Sequence, residues 1–339
     1  MADRSTRRIL LMCCVAGVCV AGCSRPVAVT PLGFRASGGT CSDHELVVVG
    51  TLRSSTIEGL TYRAMALRVV RHTGEYEEAA IGPGEIVDVS IAEDVIYAIR
   101  TETPDGDVGN NVLHRSDDRG ASWDVITSAP DGIVGVEFQD GARGYVWTAN
   151  TIHRTEDSGT IWETTRVPWT IHRGKPAPVV DSDGYLWLPI GHSINWRPDG
   201  NRVVRVSPEL RIDEIIGPIN WIITSIVVSQ DERVIVVGHT HDATRVAFSE
   251  TKGVWRLRVV HEWSEIKPKF LTAGDGELAG IFIADVPKTV VYRSTDGGTT
   301  WQTWPAPERR MEFICQTDSG GIWSIGGRDR VYYDLPPVP

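Results

Sequence analysis

The chain has 339 residues, is 41% hydrophobic and carries a formal net charge of −10. So acidic a chain is a poor non-specific binder of DNA or of anionic lipid. Its length would hold two ordinary domains, and only an internal repeat argues for a single one.

The N-terminal segment reads as a targeting sequence. Arg4, Arg7 and Arg8 precede the 14-residue apolar run "ILLMCCVAGVCVAG". That run is too short and wrongly flanked for a spanning helix. It closes in "VAGC", Val20 to Cys23, which resembles the bacterial lipobox. The resemblance implies cleavage before Cys23 and acylation of its thiol, giving stable anchoring through several acyl chains. The alternative is an ordinary signal peptide with an incidental cysteine. Ser24 follows the cysteine, and a residue other than Asp there implies outer-membrane retention, facing the periplasm. The expected divisions are a signal peptide over 1–22, a lipidated linker or closing strand over 23–38, and one domain over 39–339. Cleavage removes three arginines and one aspartate, so the mature chain is more acidic still.

Of the six cysteines, Cys13, Cys14 and Cys19 leave with the signal, and Cys23 is taken by lipid. Cys41 and Cys315 remain, in a compartment that favours disulfides. They are read as a pair, with two buried unpaired thiols as the alternative.

Further along, one motif recurs: "SDDRGASW" at 116–123, "TEDSGTIW" at 155–162 and "STDGGTTW" at 294–301. All fit [ST]-x-D-x-G-x-x-W, and each follows a short apolar run. A decayed copy, "SETKGVW", stands at 249–255. Counting it, four steps separate Trp123 from Trp301 at a mean of roughly 44 residues, the size of a four-stranded propeller blade. The runs between are Val-, Ile-, Tyr- and Trp-rich and bounded by Gly/Asp turns, the all-β pattern. The expected fold is a β-propeller of four-stranded antiparallel blades, seven in number, with six or eight as alternatives. Cys41 and Cys315 fall at matching places in the first and last units, on neighbouring inner strands. The last unit supplies only three strands, and "PVAVTPLGF" after the linker could add the fourth. "GFRASGG" at 33–39 is read as linker or edge strand.

Each box residue has a local structural role. Asp118, Asp157 and Asp296 can accept backbone N–H bonds within their turns. Gly120, Gly159 and Gly298 permit positive φ. Ser116, Thr155 and Ser294 can bond the backbone, and Trp123, Trp162 and Trp301 can pack between sheets. These residues resemble the Asp boxes (BNR repeats) of sialidases, sortilin-type receptors and the photosystem II assembly/stability factor propellers. The last look nearest, because "VEFQDGARGYVWTANTIHRTEDSGTIW" keeps their order of Phe138, Asp140, Gly144, Tyr145, Arg154 and Thr155. The resemblance implies a non-enzymatic propeller that binds other proteins, without implying a photosynthetic role.

A sialidase would need a Phe/Tyr-Arg-Ile-Pro motif before the first box, and none precedes Ser116. Tyr332 and Tyr333 come late, as its nucleophile should, but near the end of the last unit. His239, His241 and Asp242 could hold a transition metal, but no other ligand cluster supports that over a solvated loop, and no metal or cofactor is expected. Arg63, Arg68, Arg71, Arg100, Arg115, Arg143, Arg154 and Arg173 are either strand-end charges that protect edges or a basic patch. Arg100, Arg143 and Arg173 are the candidates for contact with a protein partner. The expected molecule is a monomeric, lipid-anchored scaffold or assembly factor. The alternatives are an immunity lipoprotein that neutralises a secreted effector, and a glycoside hydrolase.

Overall fold

The computed structural model describes residues 26–56, 59–102, 111–171, 178–190, 201–228, 234–240, 243–251, 254–264, 266–273, 278–284, 289–294, 300–305, 311–317, 321–326 and 330–334. Every regular element among them is a strand. None is a helix long and apolar enough to cross a membrane.

A two-residue strand, β1 (Ala28–Val29), comes first. The first sheet holds β2 (Phe34–Cys41), β3 (Glu45–Thr56), β4 (Gly59–Val70) and β5 (Tyr76–Pro83). The second holds β6 (Glu85–Ala92), β7 (Val95–Thr101), β8 (Asn111–Ser116) and β9 (Asp124–Val125). The third holds β10 (Gly135–Phe138), β11 (Gly144–Trp147), β12 (Thr151–Thr155) and β13 (Glu163–Arg166). The fourth holds β14 (Val179–Val180), β15 (Leu186–Ile190), β16 (Asn201–Val206) and β17 (Ile212–Ile219). The fifth holds β18 (Ile222–Val228), β19 (Val234–His239), β20 (Ala243–Thr251) and β21 (Val254–Ser264). The sixth holds β22 (Ile266–Ala273), β23 (Leu278–Ala284), β24 (Thr289–Ser294) and β25 (Gln302–Pro305). The last holds β26 (Met311–Gln316), β27 (Ile322–Gly326), β28 (Arg330–Asp334) and, as its outer strand, β1.

These are seven four-stranded antiparallel sheets. The first strand of each touches the first strand of the next, and β26 returns to β2. That is a closed propeller, with the first strands around the axis. Because the sheets alternate in direction, the 1–2 and 3–4 turns share one face of the ring. The 2–3 turns and the connections between sheets share the other.

The core lies between sheets rather than under one. On β3, Leu46 and Val48 pack toward Phe313, Trp323 and Ile325 of the last sheet. The alternate residues Val47 and Val49 pack toward Ile86, Ile96 and Ala98 of the second sheet. Both faces of the strand are dry, so "LVVV" reads as a continuous apolar run. All four side chains are at most 1% exposed.

Closure follows the expected route and adds to it. β1 pairs β28 antiparallel, with Ala28 opposite Val331 and Val29 opposite Arg330. A disulfide joins Cys41 on β2 to Cys315 on β26, with Cα atoms 6.1 Å apart. Trp323 Nε1 donates to the Ser42 carbonyl at 2.7 Å. Thr317 Oγ1 and the Tyr333 hydroxyl both donate to Asp43 Oδ1, at 2.7 and 3.1 Å. The Arg71 guanidinium lies 3.7 Å from the Tyr333 ring centre.

One expectation is corrected. The segment 33–39 is not linker; it is an edge strand, but the edge it forms lies at the axis rather than at the rim. β2 begins at Phe34 and is the innermost strand of the first sheet, so the ring starts before residue 39. The strand is hard to see because it lies against crowded neighbours. A Cβ on Gly38 would come within 2.8 Å of Val89 Cβ, and one on Gly39 would meet Val47 backbone.

A Cys41→Ser, Cys315→Ser variant is expected to lose about 2–5 kcal/mol of stability on removal of a clasp that spans almost the whole ring. Unfolding by denaturant measures this directly. Alkylation of the native protein without reductant is expected to label neither cysteine.

Candidate functional site

The Asp boxes sit at 3–4 turns. In the second sheet the box joins β8 to β9. Asp118 Oδ1 accepts from Ser116 Oγ and Ser122 N, each at 2.8 Å, and Oδ2 accepts from Ser122 Oγ at 2.6 Å. Ser116 Oγ in turn accepts from Gly120 N at 2.7 Å. Arg119 and Gly120 both take positive φ, 57° and 90°. The bonds from Ser122 and then Ser116 hold the Asp118 carboxyl down at about 2.

The third sheet repeats this between β12 and β13. Asp157 Oδ1 accepts from Thr155 Oγ1, Thr160 N and Ile161 N at 2.8, 3.0 and 2.8 Å. Gly159 N donates to Thr155 Oγ1 at 2.9 Å, and Gly159 has φ 89°. The Ile161 amide and then the Thr155 hydroxyl lower the Asp157 pKa.

Trp162 packs with Val136 and Phe138 of its own sheet and Tyr97 and Leu113 of the second. Trp123 packs where the first and second sheets meet. In the sixth sheet Ser294 is 1% exposed at the end of β24, and Trp301 precedes β25. Asp296 and Gly298 lie outside the described residues. The decayed copy falls at the matching corner, between β20 and β21, with Thr251 opposite Val254.

The fourth sheet holds a box that sequence reading missed. Arg211 N donates to Ser207 Oγ at 3.3 Å, and Leu210 has φ 61°. Ser207 also bonds Glu209, which lowers the Glu209 pKa. Glu replaces Asp and no Trp follows, so the motif search had nothing to match. The signal was a Ser-x-acid pair at the expected interval.

Among the described residues, each arginine singled out in the sequence has an acidic or carbonyl partner. Arg63 pairs Glu78 at 3.2 Å, Arg115 pairs Asp117 at 2.7 Å, and Arg154 pairs Glu156 at 2.5 Å. Arg68 meets Glu45 at 2.7 Å, and Arg71 donates to the Asp43 carbonyl at 3.2 Å. Arg100 is 6% exposed. It donates to Pro83 O at 2.5 Å, His114 Nε2 at 3.1 Å and Glu102 Oε1 at 3.1 Å. Burial, then the Arg100 charge, pushes His114 down to about 4. Arg143 clamps Asp140 of its own turn, with Nε to Oδ2 at 2.7 Å. Arg100 stands near the end of a second strand, and Arg143 just before the start of another. Second strands all run the same way, so the two lie at opposite faces of the ring. Arg173 and Cys23 lie outside the described residues, as do His241 and Asp242. His239 is present, with Nδ1 3.0 Å from the Thr240 carbonyl.

The axis carries a polar group that the sequence did not announce. On β6, Asp88 Oδ2 accepts from Val136 N at 3.0 Å, and Ser90 Oγ accepts from Phe138 N at 2.8 Å. These side chains satisfy the open edge of β10, whose donors would otherwise be unpaired. Glu137 lies between those two residues. Burial, then the neighbouring Asp88 charge, pushes its carboxyl up to about 8, against a bond from Ser90. The available signal was one acidic residue in each of two first strands, "VDVS" and "GVEF", where apolar residues were expected. Among the described residues no group of three or more His, Cys, Asp or Glu is placed to hold a metal.

The fold therefore defines a closed β-propeller of four-stranded antiparallel sheets. No family model matches the chain, and no curated protein matches it. Solved structures do. The chain is similar to a structure described as YCF48 bound to D1 peptide, with a TM-score of 0.60 and 14% identity over 94% of this chain and 100% of that one. It is also similar to a GH74 xyloglucanase from Xanthomonas campestris, with a TM-score of 0.57 and 16% identity over 86% of this chain and 52% of that one. The WD40 propeller domain of Doa1 matches with a TM-score of 0.55 and 11% identity, over 93% and 97% of the two chains. These likenesses establish the fold. They include a xyloglucanase alongside a peptide-bound propeller and a WD40 domain, so the fold alone does not decide catalysis.

Glu137 gives a pH signature. Its folded pKa, about 8, is above its ordinary value of 4.5. The stability it contributes is therefore full below pH 4.5 and is lost as pH rises through 8. Glu137→Gln is expected to leave Tm near wild type at pH 5 and to raise it by about 3 °C or more at pH 8.5. His114 works the other way, because its folded pKa is depressed below 6.5. Its contribution falls as pH drops from 6.5 toward 4, so His114→Asn is the control for the acid limb.

Proposed function

We propose that the chain is a lipid-anchored, non-enzymatic propeller that binds protein on the periplasmic side of a bacterial envelope. The anchor is Cys23, acylated after removal of 1–22 and held in the outer membrane. The propeller works as a monomeric scaffold or assembly factor.

The observation that carries this reading is the use made of the motif residues. Sialidases carry boxes of this kind, yet Asp118 and Asp157 are spent on their own turns. They sit at outer corners, away from the axis. A ring closed by strand pairing and a disulfide is a rigid platform for loops, and rigid platforms with loops suit recognition. The peptide bound in the YCF48 structure shows that a propeller of this fold can accept a peptide. The comparison supports protein as the class of partner and does not identify one.

Affinity capture from native membranes, followed by mass spectrometry, is expected to recover a discrete protein partner with the wild-type chain. Cys23→Ser is expected to leave the membrane fraction while keeping its fold. Recovery of a secreted toxin would favour the immunity role over assembly. Turnover of a fluorogenic sialoside or of an oligosaccharide by the pure protein would overturn the non-enzymatic reading.

A further inference from the structure

We infer that the Asp-box face, at the corner where the last and first sheets meet, is the membrane-proximal side of the ring. The opposite face, with the 2–3 turns and the connections between sheets, then points away from the bilayer. This rests on the anchoring of Cys23 proposed above.

The argument begins with the direction of β1. Val29 pairs Arg330 at the start of β28, and Ala28 pairs Val331 one step further along. β28 runs from a 2–3 turn toward the 3–4 position. β1 is antiparallel to it, so the chain enters β1 from the 3–4 face. A second contact agrees. Val27 N donates to Val331 O at 2.7 Å. A Cβ built on Gly74 would strike the Val27 carbonyl, and Gly74 lies in the turn between β4 and β5, a 3–4 turn of the first sheet. Residues just before β1 therefore sit on the face that carries the Asp boxes.

The leash is short. Four steps of chain separate Cys23 from Val27, and at full extension they span about 14 Å. The ring is thicker than that. β2 and β6 have eight residues each, or roughly 26 Å of strand. Beside β28 the chain heads away from the 2–3 face, and so short a leash favours the face toward which it heads.

Charge makes the tether decisive. Asp94, Asp117, Asp118, Glu156, Asp157 and Asp183 stand in 1–2 or 3–4 turns of this face. Such a face is not drawn to anionic lipid. It approaches the membrane because the chain leaves from it.

The test uses the full lipidated chain in phosphatidylcholine vesicles with an acceptor dye on the headgroups. Two single-cysteine variants, His72→Cys and Leu60→Cys, each carry a donor dye. Both positions are exposed, and Leu60 is near the 2–3 end of β4 while His72 follows its 3–4 end. About ten residues of strand put them roughly 33 Å apart. Cys41 and Cys315 are bonded, so the introduced thiol takes the label. Energy transfer from position 72 is expected to exceed that from position 60 by at least about twofold. Equal or reversed transfer would overturn the orientation. Inserting a long Gly/Ser spacer between Arg25 and Pro26 is expected to erase the difference, and its persistence would also count against the leash. The acyl mass on Cys23 and retention on the vesicles are read from the same samples. Loss of those two signals would refute the anchor itself, a failure separate from a wrong orientation.

Discussion

The structure depends on closing a ring. Each sheet buries both faces against its neighbours, so an open ring would leave two apolar faces in water. The seam between the last and first sheets is where that must be prevented. Several unlike interactions converge there. β1 supplies the outer strand, and the Cys41–Cys315 bond links the inner strands. Trp323, Thr317, Tyr333 and Arg71 tie the turns. Phe34, Leu46, Met65, Phe313 and Trp323 fill the space between. Backbone pairing alone is weak over two residues, and a disulfide alone sets no register. Together they fix the separation, register and tilt of two sheets whose sequences lie at opposite ends of the chain.

Elsewhere the seams are simpler because the chain is continuous through them, and one device recurs. The Tyr97 hydroxyl donates to Gly141 O in the next sheet at 2.9 Å, and the Tyr145 hydroxyl donates to Gly184 O at 2.7 Å. Trp323 Nε1 makes the corresponding bond to Ser42 O across the closing seam. In each case an aromatic on a second strand reaches the 1–2 turn of the following sheet. The ring is buried and its polar tip finds a carbonyl. Arg119 adds a charged version. From within the second box it reaches Glu45 of the first sheet at 2.5 Å, and Glu45 is only 7% exposed. The Asp box thus shapes its own corner and also aims a side chain across the seam.

What could be read from the sequence divides along physical lines. The period was legible because a box is a local object: Ser, Asp and Gly close one turn and Trp follows at a fixed distance. The pairing of Cys41 with Cys315 was legible because matching places in the first and last units must meet once a ring is assumed. The place of β2 at the axis was not legible, because packing there favours small residues and removes the apolar alternation that marks a strand. Gly38 and Gly39 are those residues. Arg100 looked like a surface cation because its partners, Pro83 and His114, stand 17 and 14 positions away. Only sheet pairing brings them together. Glu137 was hidden for a similar reason. Its environment is built by Asp88 and Ser90 on the preceding first strand.

The arginines carry the last step. An acidic chain with many of them suggests a basic surface set in an acidic body. The structure uses them differently. Arg68 and Arg119 neutralise the buried Glu45, Arg100 is enclosed, and Arg115, Arg143 and Arg154 each serve a carboxylate close by in sequence. These cations are counter-ions of the scaffold. Once they are paired, the acid excess of the chain is left for the solvent. The 1–2 and 3–4 turns are largely committed to hydrogen bonds that define their own shape, as Asp118, Asp140, Asp157 and Asp181 show. A residue that must hold its turn is not free to vary with a ligand. Selection for a partner therefore acts with least structural cost on the other face, where the connections between sheets carry no repeated motif.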